Sequence, residues 1–164
     1  MQEFQSIYEN NFTRIYRFIY RFLGDRHLAE DLTQETFLKL YGQLNSEQGL
    51  SNPRPWLYRV ASNLCKNHLK RKKLHQNFEF VIGRQNPIHE KSIENTIIDA
   101  EEIQRLRNIL KRLSAQDQLL LQLYQEGFSY REISEITNIR FSSVGKKISR
   151  AIMKCKEQLS KVQP

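Results

Sequence analysis

SYREISEITNIRFSSVGKKISRAIMKCKEQL, residues 129–159, decides how the C-terminal part of the chain folds. Ser129 starts a short helix over Tyr130 to Thr137. A connection of three to four residues follows, and a basic helix runs from about Ser142 to Leu159. Two helices so spaced have helix-turn-helix form. Ser134 is the small residue needed where such helices cross. Asn138 is the residue at the turn that tolerates a left-handed backbone. On the last helix Val144, Ile148, Ala151 or Ile152, Cys155 and Leu159 face inward. Ser143, Lys146, Lys147, Arg150 and Lys154 form the outer face, with Ser142 at its start. A helix presenting that face can enter a DNA major groove, its N-terminal residues near base edges and its later ones near phosphates. A basic surface helix of an ordinary bundle would have the same composition. Gly145 costs about 1 kcal/mol inside a helix.

Working back along the chain, apolar residues recur at three- and four-residue spacing and strand signals are weak, so the fold class is all-α. Residues 3–23 read as an amphipathic helix whose stripe is Phe4, Ile7, Tyr8, Phe12, Ile15, Ile19 and Phe22 or Leu23, ended by Gly24-Asp25. A second helix spans about Arg26 to Leu44, with Ala29, Leu32, Thr36 and Leu40 inward, joined by Phe37, Tyr41 and Leu44. Its opposite stripe is Asp31, Gln34, Glu35 and Leu38. Asn45 to Asn52 is a polar loop. Pro53 and Pro55 suit the start of a third helix, from about Pro55 to Lys73, with Trp56, Leu57, Val60, Ala61, Leu64 and Leu69 as its apolar residues. Trp56 beside Leu57 suits the core better than a base-stacking role. From Leu74 to Ala100 the periodicity fades, and this stretch reads as a flexible linker. Periodicity returns at Ile103, Leu106, Ile109 or Leu110, and Leu113. Ser114 then caps a helix carrying Leu119, Leu120 and Leu123, with Asp117 in the third position after the cap. Two small helical domains result, 1–73 and 101–164.

The 164 residues carry 26 Lys and Arg against 18 Asp and Glu, a formal net charge of +8. The surplus is not spread evenly. Residues 53–84 hold eight basic and one acidic side chain, residues 85–104 one basic and five acidic, and residues 105–164 twelve basic and five acidic. Two basic blocks flank an acidic middle, the pattern of a protein with two contacts to a polyanion such as nucleic acid. Two solvated basic faces would show the same charges.

Several function classes have no support. The six glycines are too scattered for a phosphate-binding loop. Cys65 and Cys155 stand alone, and neither pairs in spacing with His27, His68, His75 or His89, so no metal site is expected. No nucleophile and base suggest themselves, so the expectation is a non-enzyme without cofactor or small-molecule substrate. No run of 18 apolar residues and no secretory signal are visible, which points to the cytoplasm and against membrane insertion.

Three stretches now taken together resemble one family: LGDRHLAEDLTQETFLKLY (23–41), PRPWLYRVASNLCKNHLKRKK (53–73) and LSAQDQLLLQLYQEGFSYREISEITNI (113–139). They occur in this order in bacterial RNA polymerase sigma factors of the small extracytoplasmic-function (ECF) type, which keep only the second and fourth conserved regions. The resemblance implies a region 2-like domain, a region 4-like helix-turn-helix domain, and a non-catalytic polymerase subunit. Its partners would be core RNA polymerase, promoter DNA and an anti-sigma factor. It places polymerase docking on Asp31, Gln34, Glu35 and Leu38, a stripe whose chemistry alone suits a solvated face better. It places −10 element contacts on Asn63, Lys66, Asn67, Lys70, Arg71, Lys72 and Lys73. It places −35 element contacts on Ser142, Ser143, Lys146, Lys147, Arg150 and Lys154. The chain departs from the family in NIRFSSVGKKISRA, where a glycine-containing turn and a lysine near position 145 are commoner. The competing reading is a helix-turn-helix regulator that acts without replacing sigma; the second basic block at 53–73 argues against it.

Overall fold

In the computed structural model the described residues are 2–46, 49–82 and 108–161. Every regular element among them is a helix. The chain divides into two compact units, Met1–Ser92 and Ile93–Pro164.

The first unit packs three helices, α1 (Gln2–Leu23), α2 (Arg26–Leu44) and α3 (Pro53–Ile82), each against the other two. The α1–α2 turn is built from its two expected residues. Gly24 takes φ 76 and its N–H reaches the Tyr20 carbonyl at 2.8 Å, while the Asp25 carboxylate caps α2 by accepting from the Leu28 N–H at 2.9 Å. The core holds Ile15, Phe18, Ile19 and Phe22 from α1, Ala29, Thr33, Thr36, Phe37 and Leu40 from α2, and Leu57, Tyr58, Ala61, Ser62 and Cys65 from α3. The two threonines are buried because their hydroxyls return to the helix: Thr33 donates to the Ala29 carbonyl at 2.6 Å and Thr36 to that of Leu32 at 2.7 Å. Aromatic rings seal the joints. Phe18 meets Tyr58 edge-on at 5.0 Å, and Tyr8 meets Phe37 at 4.9 Å. Burial pushes the Cys65 thiol up to about 12, so this cysteine is a small apolar core residue with no thiolate near neutral pH.

The expected stripes are right in phase and incomplete in membership. Phe18 and Tyr58 are fully buried although the helical stripes omitted both, since each helix faces two neighbours and so buries a wider arc. Tyr41, expected inside, is about half exposed. The third helix begins at Pro53 and runs to Ile82, nine residues beyond Lys73. LHQNFEFVI (74–82) contains neither Gly nor Pro, and Gly83 is the first residue that breaks a helix. The stretch 74–82 is therefore helical where a flexible chain was expected; the remainder of that stretch, 83–100, and the apolar positions Ile103 and Leu106 lie outside the described residues.

The second unit comprises a helical turn at 108–111, α4 (Ala115–Gln125), α5 (Tyr130–Thr137) and α6 (Phe141–Ser160). Its core is mostly aliphatic: Ile109, Leu113, Leu119, Leu120, Leu123, Ile133, Ile136, Val144, Ile148 and Ala151, with Phe128. Helices this short are held by their ends. Ser114 caps α4, its Oγ accepting from the Asp117 N–H at 3.1 Å. Gly127, at φ 82, ends α4 with paired bonds from the Gly127 N–H to the Tyr124 carbonyl and the Phe128 N–H to the Leu123 carbonyl. Ser129 and Glu132 form a reciprocal capping box at the start of α5.

Candidate nucleic-acid and polymerase interfaces

In the helix-turn-helix, Asn138 takes the left-handed conformation at φ 58 that lets α5 stop and α6 leave at a new angle. Ser134 both fits the crossing and fixes the turn: its hydroxyl donates to the Ile139 carbonyl at 2.6 Å. Val144, Ile148 and Ala151 are buried, Ile152 and Cys155 half-buried, and Leu159 partly exposed. The opposite face is presented as the spacing requires. Ser142, Lys146 and Arg150 are exposed, and Ser143 and Lys147 half-buried.

Two residues of that basic face are partly engaged within the unit. The Lys154 Nζ lies 2.6 Å from Oδ2 of Asp117, whose side chain is only 12% exposed. The Lys147 Nζ lies 3.4 Å from Oε1 of Gln116. Both bonds tie α6 to the first turn of α4. Asp117 therefore does not complete a box with Ser114; it sits nearly out of water, where a carboxylate needs a cation, and Lys154 supplies it. Lys146 and Arg150 are exposed cations of this face.

Gly145 has a reason in the tertiary structure. A Cβ built there would come within 3.1 Å of Cε2 of Tyr130, the first residue of α5. The ring lies against the α6 backbone where any side chain would displace it, and remains 41% exposed. Tyr124 stands beside it at 6.3 Å between ring centroids.

In the first unit the second basic face lies on α3. Asn63, Asn67, Lys70, Arg71, Lys72 and Lys73 are exposed, opposite the buried Leu57, Tyr58, Ala61 and Cys65. Lys66 is half-buried, and the loss of solvent lowers its pKa from the ordinary lysine value. Exposed Arg59 extends the Asn63–Asn67–Lys70 row by one turn toward the helix start. Trp56 is half-buried.

The stripe on α2 faces outward as expected. Asp31 and Gln34 are exposed, Glu35 half-buried, and Leu38 72% exposed. Glu35 makes a 3.5 Å ion pair with Lys39 one turn on, an exposed contact of little energy. Gln34 and Leu38 also line an apolar groove of about 360 Å³ with Phe4, Tyr8, Phe37 and Tyr41. The acidic and amide groups thus border an apolar recess, a mixture suited to a protein partner.

Sequence reasoning missed Phe141, Arg140, Tyr130 and Arg59 as surface groups. Phe141 is the instructive one. It stands three residues before Val144 and seven before Ile148, in phase with the buried stripe, yet it is 59% exposed. Spacing alone would have turned it inward. No described group of three or more His, Cys, Asp or Glu is placed to hold a metal, and no described helix is long and apolar enough to cross a membrane.

Residues 7–75 match the sigma-70 region 2 family, and residues 103–155 match the sigma-70 region 4 family. The ECF RNA polymerase sigma factor SigM of Bacillus subtilis is 29% identical over 159 residues, covering 92% of this chain and 91% of that protein. SigW of the same organism is 28% identical over 155 residues, covering 89% and 83%. Its sigma factor YlaC is 29% identical over 162 residues, covering 96% and 92%. Among solved structures, the fold is similar to that of the sigma factor RpoE from Bartonella quintana, crystallised with the anti-sigma factor NepR. The TM-score is 0.77 at 21% identity, over 99% of this chain and 100% of that one. With region 2 and region 4 in order on one chain, and likeness to ECF factors over most of both lengths, this chain belongs to the sigma-70 family, as a member of the ECF type.

Proposed function

We infer that this chain is a sigma subunit: it binds core RNA polymerase, recognises the −10 and −35 elements of a promoter, promotes DNA opening, and is controlled by an anti-sigma factor. The observation that carries the reading is the presence of two sigma regions, each presenting a basic face on a single helix. In the first unit, Asn63, Asn67 and Lys70–Lys73 on α3 would hold the −10 region, with Lys66 contributing through its half-buried ammonium. In the second, Ser142, Ser143, Lys146, Lys147 and Arg150 on α6 would approach the −35 element. Lys154, engaged with Asp117, would act there mainly by fixing the helix. The α2 stripe of Asp31, Gln34, Glu35 and Leu38 would dock on the polymerase, with the adjoining groove receiving an apolar side chain.

The two domains would be joined by the stretch after Ile82. From 83 to 100 there are 18 residues, which span at most about 60 Å. Two elements one and a half duplex turns apart lie about 50 Å from each other. The chain is therefore long enough to reach.

Run-off transcription with purified core polymerase on a genomic fragment library tests the reading. Specific transcripts that appear only when this chain is added are expected. A regulator that works beside another sigma factor would give none with core enzyme alone. Glu35→Lys should weaken core binding by a few kcal/mol, since it sets a reversed charge at the interface. A Lys146/Lys147/Arg150 triple alanine variant should lose upstream footprint protection while still binding core.

A further inference from the structure

Phe141 is a large apolar side chain at the first position of α6, 59% exposed and outside the buried core of the described residues. It sits between Arg140 and Ser142, both exposed. Arg140 provides no side-chain cap. The phenyl ring is therefore at the helix end that enters a major groove first, flanked by a cation and a hydroxyl. Each thymine presents one apolar group in that groove, its C5-methyl, and phenylalanine is among the side chains that contact it. The neighbouring Lys146 and Arg150 would hold the backbone on either side but read no methyl group.

We propose that Phe141 is a specificity-determining residue of the upstream promoter contact, reading the C5-methyl of a thymine. The proposal rests on the sigma reading above and adds to it one residue and one base feature. The ring packs on the methyl, removing both from water, while Ser142 beside it is free to bond a base edge. A guanine-rich site would leave the ring without an apolar partner.

The test begins with the full chain and core polymerase. Selection from a promoter library randomised upstream identifies the preferred element, and each thymine in it, on either strand, is then replaced by deoxyuridine. Deoxyuridine pairs identically and lacks only the methyl group. One replacement should weaken holoenzyme binding by about fourfold, the equivalent of one buried methyl. Phe141→Ala should bind the thymine and deoxyuridine promoters equally, whereas Phe141→Leu should keep part of the difference. Helical circular dichroism and core binding must match the unaltered protein, and Phe141→Leu serves as the folded apolar control should the alanine variant fail that check. An upstream element without thymine would overturn the proposal. So would equal wild-type binding to every thymine and deoxyuridine pair, or an undiminished thymine preference in Phe141→Ala. Failure of the sigma reading would look different: no specific run-off product from the unaltered chain.

Discussion

The two units solve the same problem with different means. In the first, three helices of 22, 19 and 30 residues meet through rings: Phe4, Tyr8 and Phe12 of α1 run along Phe37 and Tyr41 of α2, and Phe18 locks on Tyr58 of α3. Long helices bury enough area that packing alone orients them. In the second, helices of 11, 8 and 20 residues enclose aliphatic side chains. Eight residues make barely two turns, too few to persist without fixed ends, so polar side chains specify the geometry: the Ser129–Glu132 box, the Ser134–Ile139 bond, the Lys154–Asp117 pair. The difference bears on function. In the function proposed above, α6 would present its outer face at one angle to the groove, and those polar bonds would set that angle.

The comparison breaks most visibly at Phe18. Phe18→Ala should destabilise the first unit by about 3–5 kcal/mol. Native-state hydrogen exchange should show the loss in α1, α2 and α3 while amides of α5 keep their protection. A loss shared equally by α5 would mean that the units do not fold as separate cores. Next in size is Lys154→Ala, which leaves the Asp117 carboxylate nearly out of water without its cation. A loss of about 2 kcal/mol in urea unfolding is expected, below the fully buried case because Lys154 is itself 55% exposed. The salt dependence of promoter binding should then stay as it was, whereas Arg150→Ala should lower the slope by about one if that guanidinium meets a phosphate. A lowered slope for Lys154→Ala would return this residue to the DNA-contacting set.

Ser134→Ala removes a single hydrogen bond at the turn, and about 1 kcal/mol should go with it. Promoter affinity should fall further than stability does, because the turn aims α6; an affinity change no larger than the stability change would show that the turn is not what aims it. The smallest effect belongs to Gly145→Ala. Helix propensity favours alanine by about 1 kcal/mol, and displacement of the half-exposed Tyr130 ring takes some of that back. A net gain of about 0.5 kcal/mol is expected, read as a small rise in midpoint denaturant concentration. A clear loss would mean that Tyr130 is held more tightly against α6 than its exposure suggests.

Much of the molecule was legible in the chain. Period-three and period-four spacing marks the inward faces of α1, α2 and α6, because an amphipathic helix must bury one stripe. Gly24-Asp25, Ser114, Ser129 and Asn138 announce turns and caps through local chemistry that needs no distant partner. The clustering of charge locates both basic faces, since cations at this density stay in water. Three features were settled only by tertiary packing. Phe141 shares the phase of the core stripe and still faces solvent. Lys154 shares the phase of the exposed face and yet pairs with Asp117, 37 residues earlier in the chain. Gly145 looks like a flaw in a helix until the ring of Tyr130 is placed against it. Periodicity states which side of a helix a residue is on; what occupies the space on that side depends on residues distant in sequence, and only the packed helices bring those together.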